Sequence, residues 1–269
     1  MSFRLSVLGA GNMGGALVAG LLAAKVIRPA QITLTDVDGA RLAVLKKKWG
    51  VRTGKDNRTA VQNADVVVLC VKPQHMGALL DELAGHVAPH TLVISVAAGV
   101  RAERIETILG KVPVVRVMPN TPALLRAGAL VFSLGRHAKP RHEAMAKKIL
   151  AALGRVWKAP ETQMDAVTAL SGSGPAYVFY LAECLASAGV SLGLSSDMAE
   201  SLARQTVYGA GRMLAETVDT AGELRRRVTS PGGTTEAALK ILAERDLAET
   251  FQKALTAASR RSKELSNGK

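Results

Sequence analysis

The chain has 269 residues, 48% hydrophobic, 21% charged and 3% aromatic, which is apolar enough to bury one or two cores and excludes a disordered chain. Its 35 Lys and Arg against 22 Asp and Glu give a formal charge of +13. The clusters Lys46–Lys48, Arg225–Arg227 and Arg260–Arg261 are scattered with little aromatic interleaving, so they read as solvated faces and as a field favouring anionic small molecules, not as a nucleic-acid surface. No apolar run approaches the roughly 20 residues of a membrane-spanning helix. The N-terminal residues show no cationic leader followed by a long apolar stretch, so cytoplasmic residence is expected. Cys70 and Cys184 form neither a disulfide framework nor a metal-ligand spacing, and are expected to be buried, unpaired thiols.

Strand-like apolar runs alternate with helical periodicity through the first half. Phe3 to Leu8 reads as a strand, Met13 to Ala24 as a helix, Ile32 to Thr35 as a strand and Ala40 to Trp49 as a helix. Val51 to Thr53 and Asp65 to Val71 are the next strands. Met76 to Val87 is a helix, Thr91 to Ala97 a strand, Ala102 to Leu109 a helix and Val112 to Val117 a strand, with Leu130 to Ser133 closing the sheet at its far edge. From Arg141 the spacing becomes helical: 141–153, 163–170, 174–192, 196–218, 221–228, 234–244 and 247–265. The fold class is α/β, a Rossmann-type doubly wound, mostly parallel sheet followed by an all-helical C-terminal domain. Small residues are dense between Ala176 and Ala221, which suits close helix packing, whether between subunits or in a monomeric bundle.

The turn Gly9-Ala10-Gly11-Asn12-Met13-Gly14 leaves a predicted strand and opens a helix. That context gives the glycine pattern its mechanism: Gly9 makes the tight turn, Gly11 lets the backbone approach a pyrophosphate, and Gly14 lets helix pack on strand. A P-loop is excluded, because no Gly-Lys-Ser/Thr follows. Asp36 ends the second strand, where an acid would hydrogen-bond a ribose 2′-hydroxyl and repel a 2′-phosphate, a lean toward NADH. It reads almost as well as a turn or cap residue, although Asp38 is better placed to cap the next helix.

Val71-Lys72-Pro73-Gln74 and Ser95-Val96-Ala97-Ala98-Gly99 fall where strand ends converge on the ligand crevice, Pro73 forcing an extended exit from its strand; plain strand-ending turns are the ordinary alternative. Val228-Thr229-Ser230-Pro231-Gly232-Gly233-Thr234-Thr235-Glu236 places hydroxyls and glycines directly before a helix, an anion cradle or an elaborate N-cap. Ser171-Gly172-Ser173-Gly174-Pro175 leads into another helix. The five histidines, His75, His86, His90, His137 and His142, lie outside these segments, and no His or Cys cluster suggests a metal.

Taken together, the glycine turn, Val71-Lys72-Pro73, Arg116 to Ala123, Leu170 to Tyr177 and Ser230 to Thr235 resemble pyrroline-5-carboxylate reductase, over nearly the whole chain and in the right order. The resemblance implies an imine reductase that transfers hydride from NAD(P)H to 1-pyrroline-5-carboxylate, giving L-proline, with NADPH common in the family. It implies a dinucleotide-binding domain over residues 1–160 and a helical substrate-binding and dimerisation domain over 161–269. It implies that Thr235 hydrogen-bonds the ring nitrogen as a catalytic group together with Ser230, that Ser230, Gly232, Gly233 and Thr234 take the carboxylate, and that Glu161 faces the substrate. Cofactor contacts would come from Leu8, Gly9, Gly11, Asn12, Met13, Gly14, Asp36, Asn57, Cys70, Val71, Lys72, Pro73, Ala97 and Ala98. Homodimers joined into a ring of five are implied, with neither nucleic acid nor membrane as partner.

This chain departs from the family at Thr35-Asp36-Val37-Asp38, where relatives often carry Ser, Thr or Arg, at Thr220-Ala221, commonly His-Pro, and at Arg227, which would touch a phosphate or point to solvent. Two competing readings are a related β-hydroxyacid or cyclic-imine dehydrogenase and a non-catalytic nucleotide- or nucleic-acid-binding regulator.

Overall fold

Leu5–Leu8 is buried along its whole length, as an apolar strand covered on both faces must be. It is β1 in the computed structural model, which describes residues 3–266. There follow α1 (Asn12–Ala23), β2 (Ile32–Thr35), α2 (Gly39–Trp49), β3 (Arg52–Gly54), α3 (Asn57–Gln62), β4 (Val66–Leu69), α4 (Pro73–Leu83), β5 (Leu92–Ser95), α5 (Ala102–Leu109) and β6 (Val114–Met118). Next come β7 (Gly128–Leu134), α6 (Pro140–Leu150), β8 (Gly154–Lys158), α7 (Met164–Val167), α8 (Gly174–Ser191), α9 (Ser196–Glu216), α10 (Ala221–Arg227), α11 (Thr234–Glu244) and α12 (Leu247–Ser266). These form two compact units, residues 3–173 with 258–266, and residues 174–257.

The first unit is built on one eight-stranded sheet in the order β3-β2-β1-β4-β5-β6-β7-β8. Every neighbouring pair is parallel except β6 and β7. Chain order reverses at the β1/β4 pair, the switch point at which an open α/β sheet presents its ligand crevice. Alternate side chains feed two cores. Leu5, Val7, Val66 and Val68 join the cluster that includes Leu17, Leu42 and Ile149; Leu8, Val67 and Leu69 join the one that includes Val61, Leu80 and Ile105.

Several sequence expectations are corrected. Leu130–Ser133 does not close the sheet: β7 lies between β6 and β8, and the unexpected β8 is the edge. Gly154–Lys158 is a short, half-exposed strand with Arg155 and Lys158, so it lacks the apolar run that marks an interior strand. The six-residue α3 was also not expected, and α4 starts at Pro73 rather than Met76, because proline's fixed φ and missing N–H suit a first helical position. Lys72 before it is extended, as a residue preceding proline should be. Cys184 is exposed on the single chain, not buried, and of the histidines outside the motifs His142 is buried.

In the second unit α8 and α9 pair closely, and a Cβ on Gly189 would stand 3.1 Å from that of Ala199, so the small residues do bring helices together. Yet α8, α10 and α11 bury no residue at all, and Phe179, Tyr180 and Leu181 on α8 are more than half exposed. A helix that is apolar all round belongs inside a core, and this unit alone does not enclose it. No described helix is long and apolar enough to cross a membrane.

Candidate active site

The glycine turn is fastened to the strand ends on both sides. The Gly9 amide donates to the Thr35 carbonyl at 2.9 Å, and the Cys70 amide donates to the Leu8 carbonyl at 2.8 Å. Gly9 has φ +104°, and a Cβ there would sit 2.7 Å from the Cys70 carbonyl oxygen, so only glycine makes this turn. A Cβ on Gly14 would run into the Gly9 carbonyl, whereas one on Gly11 would meet nothing within 4 Å. Gly11 is the N-cap of α1 and offers no side-chain cap, so the Asn12, Met13 and Gly14 amides keep their donors for a ligand. Open amides, an open approach at Gly11 and a helix N-terminus fit a dinucleotide pyrophosphate.

Asp36 lies between that turn and α2. Its Oδ2 accepts the Ala10 amide at 2.6 Å, its Oδ1 accepts the Asp38 amide at 2.9 Å, and its side chain is only 10% exposed. Asp38, as expected, is the N-cap of α2, accepting the Arg41 amide. Asn57 is also engaged: Thr35 Oγ1 donates to its Oδ1 at 2.6 Å, and its Nδ2 donates to Glu82 at 2.9 Å. Cys70, Val71, Lys72 and Pro73 run from the end of β4 into α4, and burial pushes the Cys70 thiol up to about 12, so it is not a thiolate nucleophile. Ala97 and Ala98 follow β5, held by the Ser95 hydroxyl, which accepts the Ala97 amide at 3.4 Å. A Cβ on Gly99 would lie 3.4 Å from that of Leu265, so the last turn of α12 backs this loop. No local pattern ties Leu265 to a loop so distant in the chain.

Glu161 is pinned from two sides. Arg116 Nη1 donates to Oε1 at 2.7 Å and the Ser133 hydroxyl donates to Oε2. Arg116 is buried in β6, and its Nη2 has no hydrogen-bond partner among the described residues. Asn120, just past β6, donates to the Ser171 carbonyl and accepts the Ala129 amide. Sequence reasoning gave Arg116 no role, although a charge inside the apolar run Val114–Met118 is the signal for one.

In the second unit, Gly233 is the N-cap of α11 without a side-chain cap, and Gly232 has φ +70°. The Gly233 amide donates to the Ser230 carbonyl at 3.0 Å and the Gly232 amide to Glu236 Oε2 at 2.7 Å, so both are already engaged. The Thr234 and Thr235 amides and the hydroxyls of Ser230, Thr234 and Thr235 have no partner among the described residues. The site's open donors are therefore three hydroxyls and the amides that start the helix. Arg227 is exposed, as one of its two readings has it, and there it makes a two-pronged pair with Asp219. Thr220, in place of the family's histidine, caps α10 in a capping box with Glu223.

Comparison with known proteins matches residues 161–265 to the family model described as pyrroline-5-carboxylate reductase dimerisation, and residues 4–99 to that described as NADP oxidoreductase coenzyme F420-dependent. Pyrroline-5-carboxylate reductase of Pseudomonas aeruginosa is 44% identical, covering 97% of this chain and 96% of its own. A solved structure of a pyrroline-5-carboxylate reductase from Coxiella burnetii is 44% identical with a TM-score of 0.92, covering 98% of this chain and 99% of that one. The Plasmodium falciparum pyrroline carboxylate reductase, solved with NADP bound, is 28% identical with a TM-score of 0.86 over 98% of each chain. With similarity of this extent in both sequence and architecture, the chain belongs to the pyrroline-5-carboxylate reductase family.

Proposed function

We propose that the chain reduces 1-pyrroline-5-carboxylate to L-proline, with its own residues serving to bind, align and exclude water. The carrying observation is the set of open donors at the start of α11, the hydroxyls of Ser230, Thr234 and Thr235 and two helix-start amides, in a family member whose glycine turn also keeps open amides. Ser230 and the Thr234 and Thr235 amides take the substrate carboxylate, an anion at a helix N-terminus. The Thr235 hydroxyl hydrogen-bonds the ring nitrogen and fixes which face of the imine meets the cofactor. When bound, NAD(P)H supplies the hydride to the imine carbon, and a protonated ring nitrogen takes the electron pair of the C=N bond. The Asn12, Met13 and Gly14 amides hold the pyrophosphate, Leu8, Gly9 and Gly11 shape its bed, and Cys70, Val71, Lys72, Pro73, Ala97 and Ala98 line the nicotinamide side.

Two residues of the set also take a structural role. Glu161, held by Arg116 and Ser133, anchors the segment leading into α7, and the lone pairs these two donors leave open can still face the substrate. Gly232 shapes the loop through its bond to Glu236 rather than donating to substrate. The uncovered apolar surface of α8 supports a homodimer built through the helical unit, and assembly of five such dimers rests on the family resemblance alone.

Oxidation of NADH and NADPH in the presence of the imine tests the reading. Oxidation of β-hydroxyacids with no turnover of the imine would overturn it. Thr235→Ala is expected to lower kcat/KM for the imine about 10²-fold, the usual cost of one donor aimed at developing charge, with cofactor affinity nearly unchanged. Unchanged turnover removes Thr235 from that role.

A further inference from the structure

We propose that Lys55 and Arg41 form a 2′-phosphate subsite, so that this chain takes NADPH readily in spite of the acid at position 36. The inference concerns the dinucleotide site alone and does not depend on which substrate is reduced.

An acid after the second strand disfavours NADPH when its carboxylate faces the ribose. Here both oxygens of Asp36 turn inward, one to the Ala10 amide at 2.6 Å and one to the Asp38 amide at 2.9 Å. Asp36 thus braces the glycine turn, and its charge is offset by two amide dipoles and by the Arg41 guanidinium 3.7 Å away. Arg41 stands 3.5 Å from Asp38 as well, and neither approach is a hydrogen bond, so its donor fork is still available. Lys55 reaches the same place from the end of β3. A Cβ built on Gly39, the first residue of α2, would meet Lys55 Nζ at 3.3 Å, so the ammonium lies over the start of that helix. No ion pair or hydrogen bond engages Lys55 among the described residues. Two cations therefore converge at the N-terminus of α2, immediately beyond the position where a ribose 2′-oxygen is held.

The test is calorimetric binding of 2′,5′-ADP and 5′-AMP, which differ by the 2′-phosphate alone, supported by kcat/KM for NADPH and NADH. The unaltered protein should bind 2′,5′-ADP at least tenfold more tightly, an advantage that shrinks as salt rises. Lys55→Gln and Arg41→Gln should each weaken 2′,5′-ADP by about three- to tenfold and 5′-AMP by less than about twofold, the scale of one partly exposed charge contact. The NADPH/NADH ratio should fall by the same factor. Asp36→Asn should weaken both probes alike. Preference of the unaltered protein for 5′-AMP, equal losses for both probes in the Lys55 variant, or an Asp36→Asn protein that gains 2′,5′-ADP while losing 5′-AMP, would each overturn the proposal. Lys55 is exposed and tied to no core residue, so its variant folds and keeps the test decisive if Asp36→Asn does not.

Discussion

The two units treat their polar and apolar groups in opposite ways. In the sheet unit the candidate site residues are locked by partners far away in sequence: Asp36 by the Ala10 amide, Asn57 by Thr35 and Glu82, Glu161 by Arg116 and Ser133. The helical unit leaves the three hydroxyls of Ser230, Thr234 and Thr235 without partners among the described residues and much of an apolar helix uncovered. The first unit is finished by its own chain. The second has the composition of half a core, and what it lacks is a further apolar surface of its own kind.

The sharpest way to break that comparison is to charge the uncovered helix. Phe179 is 60% exposed on the single chain. Burying a phenylalanine contributes about 1.5–3 kcal/mol, and a twofold interface counts it twice, so Phe179→Asp should cost about 3–6 kcal/mol of association and raise the dissociation constant at least 10²-fold. Sedimentation should show monomers with NADPH binding retained, because the glycine turn lies in the other unit. An unchanged oligomer would mean that α8 is not where copies meet.

In the sheet unit the corresponding target is the lock itself. Arg116 is buried and Glu161 is its ion-pair partner, so Glu161→Leu strands a cation with no counter-ion. A loss of about 3–5 kcal/mol in unfolding free energy is expected, the cost of breaking a buried pair from one side. Arg116→Met combined with Glu161→Leu should recover most of it, because replacing both charges by apolar groups of similar size is close to neutral. Denaturation of the two single variants and the double variant completes the cycle. A double variant as unstable as Glu161→Leu would refute the pair as the source of the loss. Since one of Arg116's nitrogens lacks a partner among the described residues, the pair contributes more to placing the segment leading into α7 than to net stability.

How much of this was legible in the chain follows the same division. Where a residue's partner is a near neighbour or a strand end, sequence sufficed: the glycine turn, Asp38 as a cap and the strands along the chain through β6 rest on local periodicity and turn chemistry. Asp36 was open between ribose contact and turn residue, and its bond to Ala10 joins positions 26 apart that only the β1–β2 pairing brings together. The Arg116–Glu161 pair spans 45 positions and was invisible for the same reason. β8 was missed because its five residues alternate weakly and follow a helix directly. The helical unit was legible as helices but not as an incomplete core, since periodicity records which residues are apolar and not what covers them.

The smallest expected effect probes the finished unit by pH. His142, at the start of α6, is 7% exposed and its Nδ1 accepts the Lys139 amide. Burial first, and then the neighbouring Arg141 and Lys139 charges, hold its pKa below the usual 6.5. A base whose folded pKa is depressed is protonated first in the unfolded chain, so the stability it contributes is complete above about 6.5 and is lost as pH falls through and below that value. Its loss cannot exceed about 1.4 kcal/mol per pH unit and stops once the folded imidazole also takes a proton. Glu143, next in the chain, titrates in the other window: Lys147 and then Lys158 hold its carboxyl below the usual 4.5, so its contribution persists until well into acid. Unfolding free energy measured from pH 7 to pH 5 should therefore decline in the unaltered protein and decline less in His142→Gln, whose amide oxygen still accepts the Lys139 amide without titrating. Equal slopes would assign the decline to other groups and show that the imidazole is as easily charged in the folded unit as in the unfolded chain.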